Sequence, residues 1–147
     1  MMEASVGFVF DLNMTRVVLI RKNRPQWQAG LLNGVGGKKE GSETPAETMC
    51  REFREEAGVI TSESEWLPLA ILQGDHFLIH AFYLVSREAY SNAVAQTDER
   101  LEFWDISDLS EDCVPSVPWL IWLAKDSNMM RGQMSVKADY AGLLDGD

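Results

Sequence analysis

Between Thr44 and Gly58 the chain carries every local signal of one sharply bounded helix. Thr44 is placed as N-cap, Pro45 takes the first helical position, and Glu47 completes a capping box. Gly58 supplies the C-terminal stop. Ala46, Met49, Cys50, Phe53 and Ala57 recur at i, i+3, i+4, i+7 and i+11, an apolar stripe that faces a core. The same helix bears Glu52, Glu55 and Glu56 at i, i+3 and i+4. At about 100° per residue these three share one face. Like charges at this spacing destabilise a helix by roughly 0.2–0.5 kcal/mol per pair. Arg51 and Arg54 relieve part of that, and a hard divalent cation would relieve more. Taken alone, such a run reads most simply as a solvated acidic face.

The remainder of the chain reads as one mixed α/β domain. Its 147 residues suffice for a core without disulfide or metal staples. Strands are expected at 4–10, 16–21, and about 66–73, 76–86 and 99–106, with a loop over 22–34, Val35-Gly36-Gly37-Lys38 leading into a second polar loop that ends at Glu43, and a second helix over roughly 116–125. The domain is drawn over 1–127. Residues 128–147 are read as a C-terminal extension holding one short strand, Gln133–Val136, before a frayed end. Cys50 and Cys113 lack zinc-type or CxxC spacing, and Cys50 on the apolar stripe is read as a reduced core thiol. With no apolar run of membrane length and no signal peptide, the default location is the cytoplasm. A net charge of −10 argues against binding duplex nucleic acid. It also means that any phosphate substrate needs a cation as mediator.

From Gly37 to Val59 the chain reads GKKEGSETPAETMCREFREEAGV. This resembles the signature of the Nudix hydrolase family: Gly, five residues, Glu, seven residues, then Arg-Glu-apolar-x-Glu-Glu-x-Gly-apolar. Gly37, Glu43, Arg51, Glu52, Glu55, Glu56 and Gly58 fill its fixed positions, and Phe53 stands where Leu or Ile is more usual. The resemblance implies a Nudix-type α/β/α sandwich with a mixed sheet and a loop–helix–loop catalytic element. It implies Mg²⁺, or Mn²⁺ in its place, held by Glu52, Glu55, Glu56 and the carbonyl of Gly36. Arg51 would orient a glutamate and Glu43 would serve as a structural partner. The reaction implied is in-line attack of water on a diphosphate, with a carboxylate taking the proton. Glu52 is one candidate for that base. Glu99, five residues before Trp104, is another, and Glu102 a weaker one.

Outside the signature, Leu32-Asn33-Gly34-Val35-Gly36-Gly37-Lys38 is similar to the W-N-G-x-G-G-K segment of the nucleoside-triphosphate (MutT-like) branch, which includes enzymes acting on oxidised purine nucleotides such as 8-oxo-dGTP. The resemblance makes the partner a small-molecule nucleotide, cleaved to a monophosphate and pyrophosphate. A nucleoside diphosphate linked to another group, such as ADP-ribose or a nucleotide sugar, is the second reading. A nucleotide-sensing module without catalysis is the third. Asn33 offers a donor and an acceptor to a base edge, and Lys38 a charge to a phosphate. Trp27, Trp119 and Trp122 offer stacking faces, of which Trp119 is the preferred substrate contact. His76 and His80 share a strand face and are read as structural. Family members occur as monomers and as homodimers, and both remain open.

Overall fold

The computed structural model describes residues 1–130 and 136–140. In chain order its elements are β1 (Met2–Phe10), β2 (Arg16–Arg21), β3 (Leu32–Asn33), β4 (Val35–Lys38), α1 (Pro45–Ala57), β5 (Leu67–Gln73), β6 (Phe77–Val85), α2 (Arg87–Asn92), β7 (Arg100–Asp105), α3 (Ser116–Met129) and β8 (Val136–Asp139). Short 3-10 turns lie at Gln26–Gln28 and Glu63–Glu65.

The eight strands of the described residues join one mixed sheet. One edge of β1 pairs in parallel with β6 from Met2 to Phe10. Its other edge is divided: Val9 and Phe10 pair with β2, while Ala4 to Gly7 pair with β4. β2 is divided in the same way, holding β3 beside Ile20 and Arg21 and β7 along its other edge. Residues 32–38 therefore lie in the opening between β1 and β2, bonded to β2 at one end and β1 at the other. Gly34 stands at the junction, where an added Cβ would come within 2.8 Å of the Gly7 carbonyl oxygen.

Strand alternation sends successive side chains to opposite faces, and both faces are covered. Phe8, Phe10, Val17 and Leu19 pack with Val117, Leu120, Ile121 and Ala124 of α3. Val9, Val18 and Ile20 pack with Met49, Phe53 and Ala57 of α1, and with Trp66 and Ala89. The result is the mixed α/β sandwich expected, with three helices around the sheet. No described helix is long and apolar enough to cross a membrane.

Several elements depart from the expected boundaries. Leu32–Asn33, the end of the expected loop 22–34, and Val35–Lys38, expected to lead into a second loop, are β3 and β4, because their hydrogen-bond partners lie on the split β1 and β2 and not nearby in sequence. Helix α2 was not foreseen; only Ala89 of its six residues is buried, so it shows no apolar periodicity. The second long helix continues past 125 to Met129. Of the strand expected over 133–136, Gln133 to Ser135 lie outside the described residues; β8 covers Val136–Asp139 and pairs in parallel with β5. Tyr140 follows it and stacks near Phe77, with ring centroids 6.3 Å apart.

Candidate active site

Helix α1 begins and ends as its sequence dictates. The Thr44 hydroxyl accepts from the Glu47 N–H, and the Glu47 carboxylate accepts from the Thr44 N–H at 2.8 Å. Gly58 closes the helix at φ 74°, a left-handed conformation that suits glycine. Its C-terminal carbonyls are then capped from afar: Val94 N–H donates to Ala57 O and Gln96 N–H to Glu56 O. Glu55 and Glu56 sit in the last turn, where the helix dipole disfavours negative charge. Their placement works against the helix, so packing alone gives no reason for it.

Arg51 organises the surrounding acidic groups. Its side chain, 12% exposed, donates through Nε to Glu43 at 2.7 Å and through Nη2 to the Lys38 carbonyl at 2.8 Å. Nη1 reaches Glu52 Oε1 at 2.8 Å, Glu40 at 3.1 Å and Glu55 at 3.2 Å. Glu43 also accepts from the Thr48 hydroxyl and the Glu40 N–H. The Arg51 guanidinium, with the Glu40 N–H behind it, pulls the Glu43 carboxyl down from 4.5 to about 2.

Glu52 is the most buried carboxylate of α1. Burial pushes its pKa up, and the hydrogen bond from Arg51 only partly opposes this; Glu55 and Glu40 add repulsion. Its carboxylate lies against Gly37, where an added Cβ would fall 2.7 Å from Oε2. Oxygens of Glu40, Glu52 and Glu55 lie within 4.8 Å of one another. This all-oxygen, anionic donor set suits a hard divalent cation such as Mg²⁺ or Mn²⁺. Glu56, half-buried, instead accepts a 3.4 Å hydrogen bond from the Thr97 hydroxyl, and burial raises its pKa against the pull of Lys22. Glu40 and Thr97 had no signal in the sequence: one fills a variable position of the signature, and the other is 41 residues from its partner.

Glu99, just before β7, and Glu102, within it, each lie against cations at or just after the end of β2. Glu99, 3% exposed, accepts from Lys22 Nζ at 3.0 Å and from the N–H groups of Asn23 and Arg24. Burial pushes its pKa up, but those donors outweigh it and hold the group ionised below its ordinary value. Glu102 forms a two-pronged pair with Arg21, which keeps its pKa low. Asn33 lies in β3 with Nδ2 bonded to Gln28 and Oδ1 to the Gly34 N–H. The side chain of Lys38 is exposed at the end of β4. Among the tryptophans, Trp27 is 66% exposed, Trp119 packs half-buried on the core, and Trp122 is exposed with Lys125 Nζ 5.6 Å from its ring centre. His80 is half-buried on β6, and burial lowers its pKa.

The glycine pair at the start of the signature separates folding from site geometry. At Gly36 a Cβ would overlap the Ser5 backbone carbonyl and lie 2.8 Å from Val6 Cα, with no side chain free to yield. Gly36→Ala is therefore expected to break the β1–β4 pairing and destabilise the fold by about 3 kcal/mol. Gly37→Ala meets only the end of the Glu52 side chain, which can swing aside. Thermal melts should show Gly37→Ala near the parent and Gly36→Ala far below it, with both losing activity. Equal melting temperatures would contradict this assignment.

The decisive comparison concerns the whole domain. The profile of the NUDIX domain matches residues 1–122. The chain belongs to the NUDIX domain family. It is a Nudix hydrolase, and two of the three clustered carboxylates, Glu52 and Glu55, sit on helix α1. Its fold is similar to that of the MutT NUDIX hydrolase from Burkholderia pseudomallei, with a TM-score of 0.69 at 18% identity over 83% of this chain and 96% of that one. The mutator MutT protein from Bacillus halodurans is similar over 96% of this chain and 90% of its own, with a TM-score of 0.68 at 18% identity. No curated protein sequence matches the chain.

Proposed function

We propose that this Nudix hydrolase cleaves a nucleoside triphosphate, including oxidised purine forms such as 8-oxo-dGTP, to a nucleoside monophosphate and pyrophosphate with Mg²⁺ as cofactor. The observation that carries the reading is the acidic cluster in which oxygens of Glu40, Glu52 and Glu55 lie within 4.8 Å of one another, with the Glu52 carboxylate against Gly37. Holding Glu52 and Glu56 in place disfavours the fold, since burial, and after it the neighbouring carboxylates, push both up. A module that only senses nucleotides has no need of that penalty.

Glu52, Glu55 and Glu56 with the Gly36 carbonyl would hold the ion, and Glu40 stands beside them. Bound there, it would neutralise the non-bridging phosphate oxygens. Arg51 fixes Glu52 through Oε1. That leaves Oε2 to take the proton from the attacking water, and we assign Glu52 as the base. As water bonds to phosphorus, the bridging P–O bond breaks and its electron pair leaves with pyrophosphate. Glu99, locked by Lys22, Asn23 and Arg24, would serve by fixing the loop that carries them. For the substrate, Asn33 supplies hydrogen bonds, Trp27 and Trp119 supply aromatic faces, and Lys38 a charge near the phosphates.

The test is phosphate release coupled through inorganic pyrophosphatase. Canonical and oxidised triphosphates are compared with ADP-ribose and nucleotide sugars, each with Mg²⁺ or EDTA, beside Glu55→Gln. Pyrophosphate from a triphosphate, lost with EDTA and in the variant, is the expected result. Metal-dependent cleavage of the conjugates alone would move the substrate to that class. Tight nucleotide binding with no turnover on the panel would overturn the catalytic reading.

A further inference from the structure

Resting on this reading of the site, we infer that Arg21 and Glu102 are positioning residues that set nucleobase selectivity by clamping the loop between β2 and β3. Neither belongs to the signature. Arg21 ends β2, and Glu102 on β7 pairs with Leu19, two residues before Arg21. Arg21 Nε and Nη2 bond the two oxygens of Glu102 at 2.8 and 2.9 Å. Trp104 Nε1 donates to Oε1 of the same carboxylate at 2.9 Å, a further hydrogen bond that holds it. Both side chains are 20% exposed, so the pair is largely shielded from water.

The remaining arm of Arg21 gives the pair its purpose. Nη1 donates 3.0 Å to the carbonyl of Gly30, at the far end of the loop that leaves β2. Within that loop, Leu31 N–H donates to Gln28 O, and the Gln28 side chain accepts from Asn33 Nδ2. The contacts thus link Glu102 to Arg21 and Arg21 to Gly30, and, through the next residue Leu31, Gln28 and then Asn33, in the loop that carries the exposed Trp27. Glu99 pins the opposite end of the loop through Lys22, Asn23 and Arg24. A guanidinium can serve both carboxylate oxygens and a carbonyl at once because its donors are fixed in a plane; an ammonium cannot. A loop held in its binding conformation does not lose that freedom when a base docks. The clamp therefore acts on substrate affinity and base preference, apart from the α1 carboxylates that carry the chemistry.

The test compares Arg21→Met, Arg21→Lys and Glu102→Gln with the parent for KM and kcat on the triphosphate panel. Mn²⁺ binding without nucleotide is followed by electron paramagnetic resonance, together with melting temperature. Arg21→Met is expected to raise KM about tenfold and flatten the preference among bases. Its kcat should stay within about threefold, and Mn²⁺ affinity should be unchanged. Arg21→Lys should resemble Arg21→Met, since charge alone does not rebuild the fork. If Arg21→Met does not fold, Glu102→Gln carries the test with a smaller KM rise of the same kind. A loss of kcat at constant KM, a shift in Mn²⁺ affinity, or unaltered KM and base preference would overturn the clamp while leaving the triphosphate reading intact. A parent that turns over no triphosphate would overturn that reading and the clamp with it.

Discussion

Glu52→Gln is expected to cut turnover by about 10²–10⁴-fold, the range for losing a positioned general base, and at the same time to raise the melting temperature of the metal-free protein. The two effects share one cause. Burial holds the folded-state pKa of Glu52 above its ordinary 4.5, with Arg51 opposing and Glu55 and Glu40 adding to the rise. A raised carboxyl pKa means that the fold prefers the protonated form. The penalty appears as pH climbs through 4.5 and is complete once pH exceeds the folded-state value. At neutral pH the wild-type chain carries it in full, and glutamine removes it while keeping an oxygen for the Arg51 hydrogen bond. Added Mg²⁺ should raise the melting temperature of the parent and do so less in the variant. Scanning fluorimetry in EDTA and in Mg²⁺, read beside steady-state turnover, checks both halves. A variant that melts below the parent in EDTA, or one that keeps its activity, would refute this account of Glu52.

Arg51→Met should damage both fold and activity. Its one guanidinium reaches Glu43, Glu52, Glu40, Glu55 and the Lys38 carbonyl. Removing one member of a buried ion pair costs about 3–5 kcal/mol. Glu40 and Glu55 can turn to solvent, so a loss of about 2–3 kcal/mol is expected here. For a chain of this length that is a fall in melting temperature on the order of 8 °C. The pH dependence has a definite sign. Because the Glu43 carboxyl titrates at about 2 when folded against 4.5 ordinarily, its contribution is present in full above 4.5 and fades as pH falls toward 2. The gap between parent and Arg51→Met in urea melts should therefore narrow on acidification. A gap that stays constant from neutral pH to below pH 3 would show that the pair contributes nothing to stability.

How much of this was legible in the sequence depended on range. Helix α1 was readable to the residue because its signals are local: a cap at Thr44, a proline at the first turn, and a glycine at Gly58. Strands β1, β2, β5, β6 and β7 were visible as runs of β-branched and aromatic residues, β2 with its ends as expected and the others with an end displaced by one or two positions. What failed was set at long range. β3 and β4 are short and rich in Asn and Gly, and they become strands only because β1 and β2 diverge around them. Glu99 stood out as a carboxylate near a tryptophan, but its buried surroundings come from residues 75–77 positions earlier. The Arg21–Glu102 pair, 81 residues apart, left no mark in spacing at all.

The strand segment that fills the gap between β1 and β2 works as a ruler. Asn33 stands at one end of it and the Gly36-Gly37 pair at the other, three and four residues on. At about 3.3 Å per strand residue, that fixes them roughly 10–13 Å apart. Because one end is bonded to β2 and the other to β1, neither mark can slide without breaking a ladder. A nucleotide read at Asn33 would then present one particular phosphate linkage to the carboxylates, chosen by its distance from the base. Lengthening the segment by a single residue at Gly34 would invert the alternation of everything beyond it and move the cleaved bond out of reach.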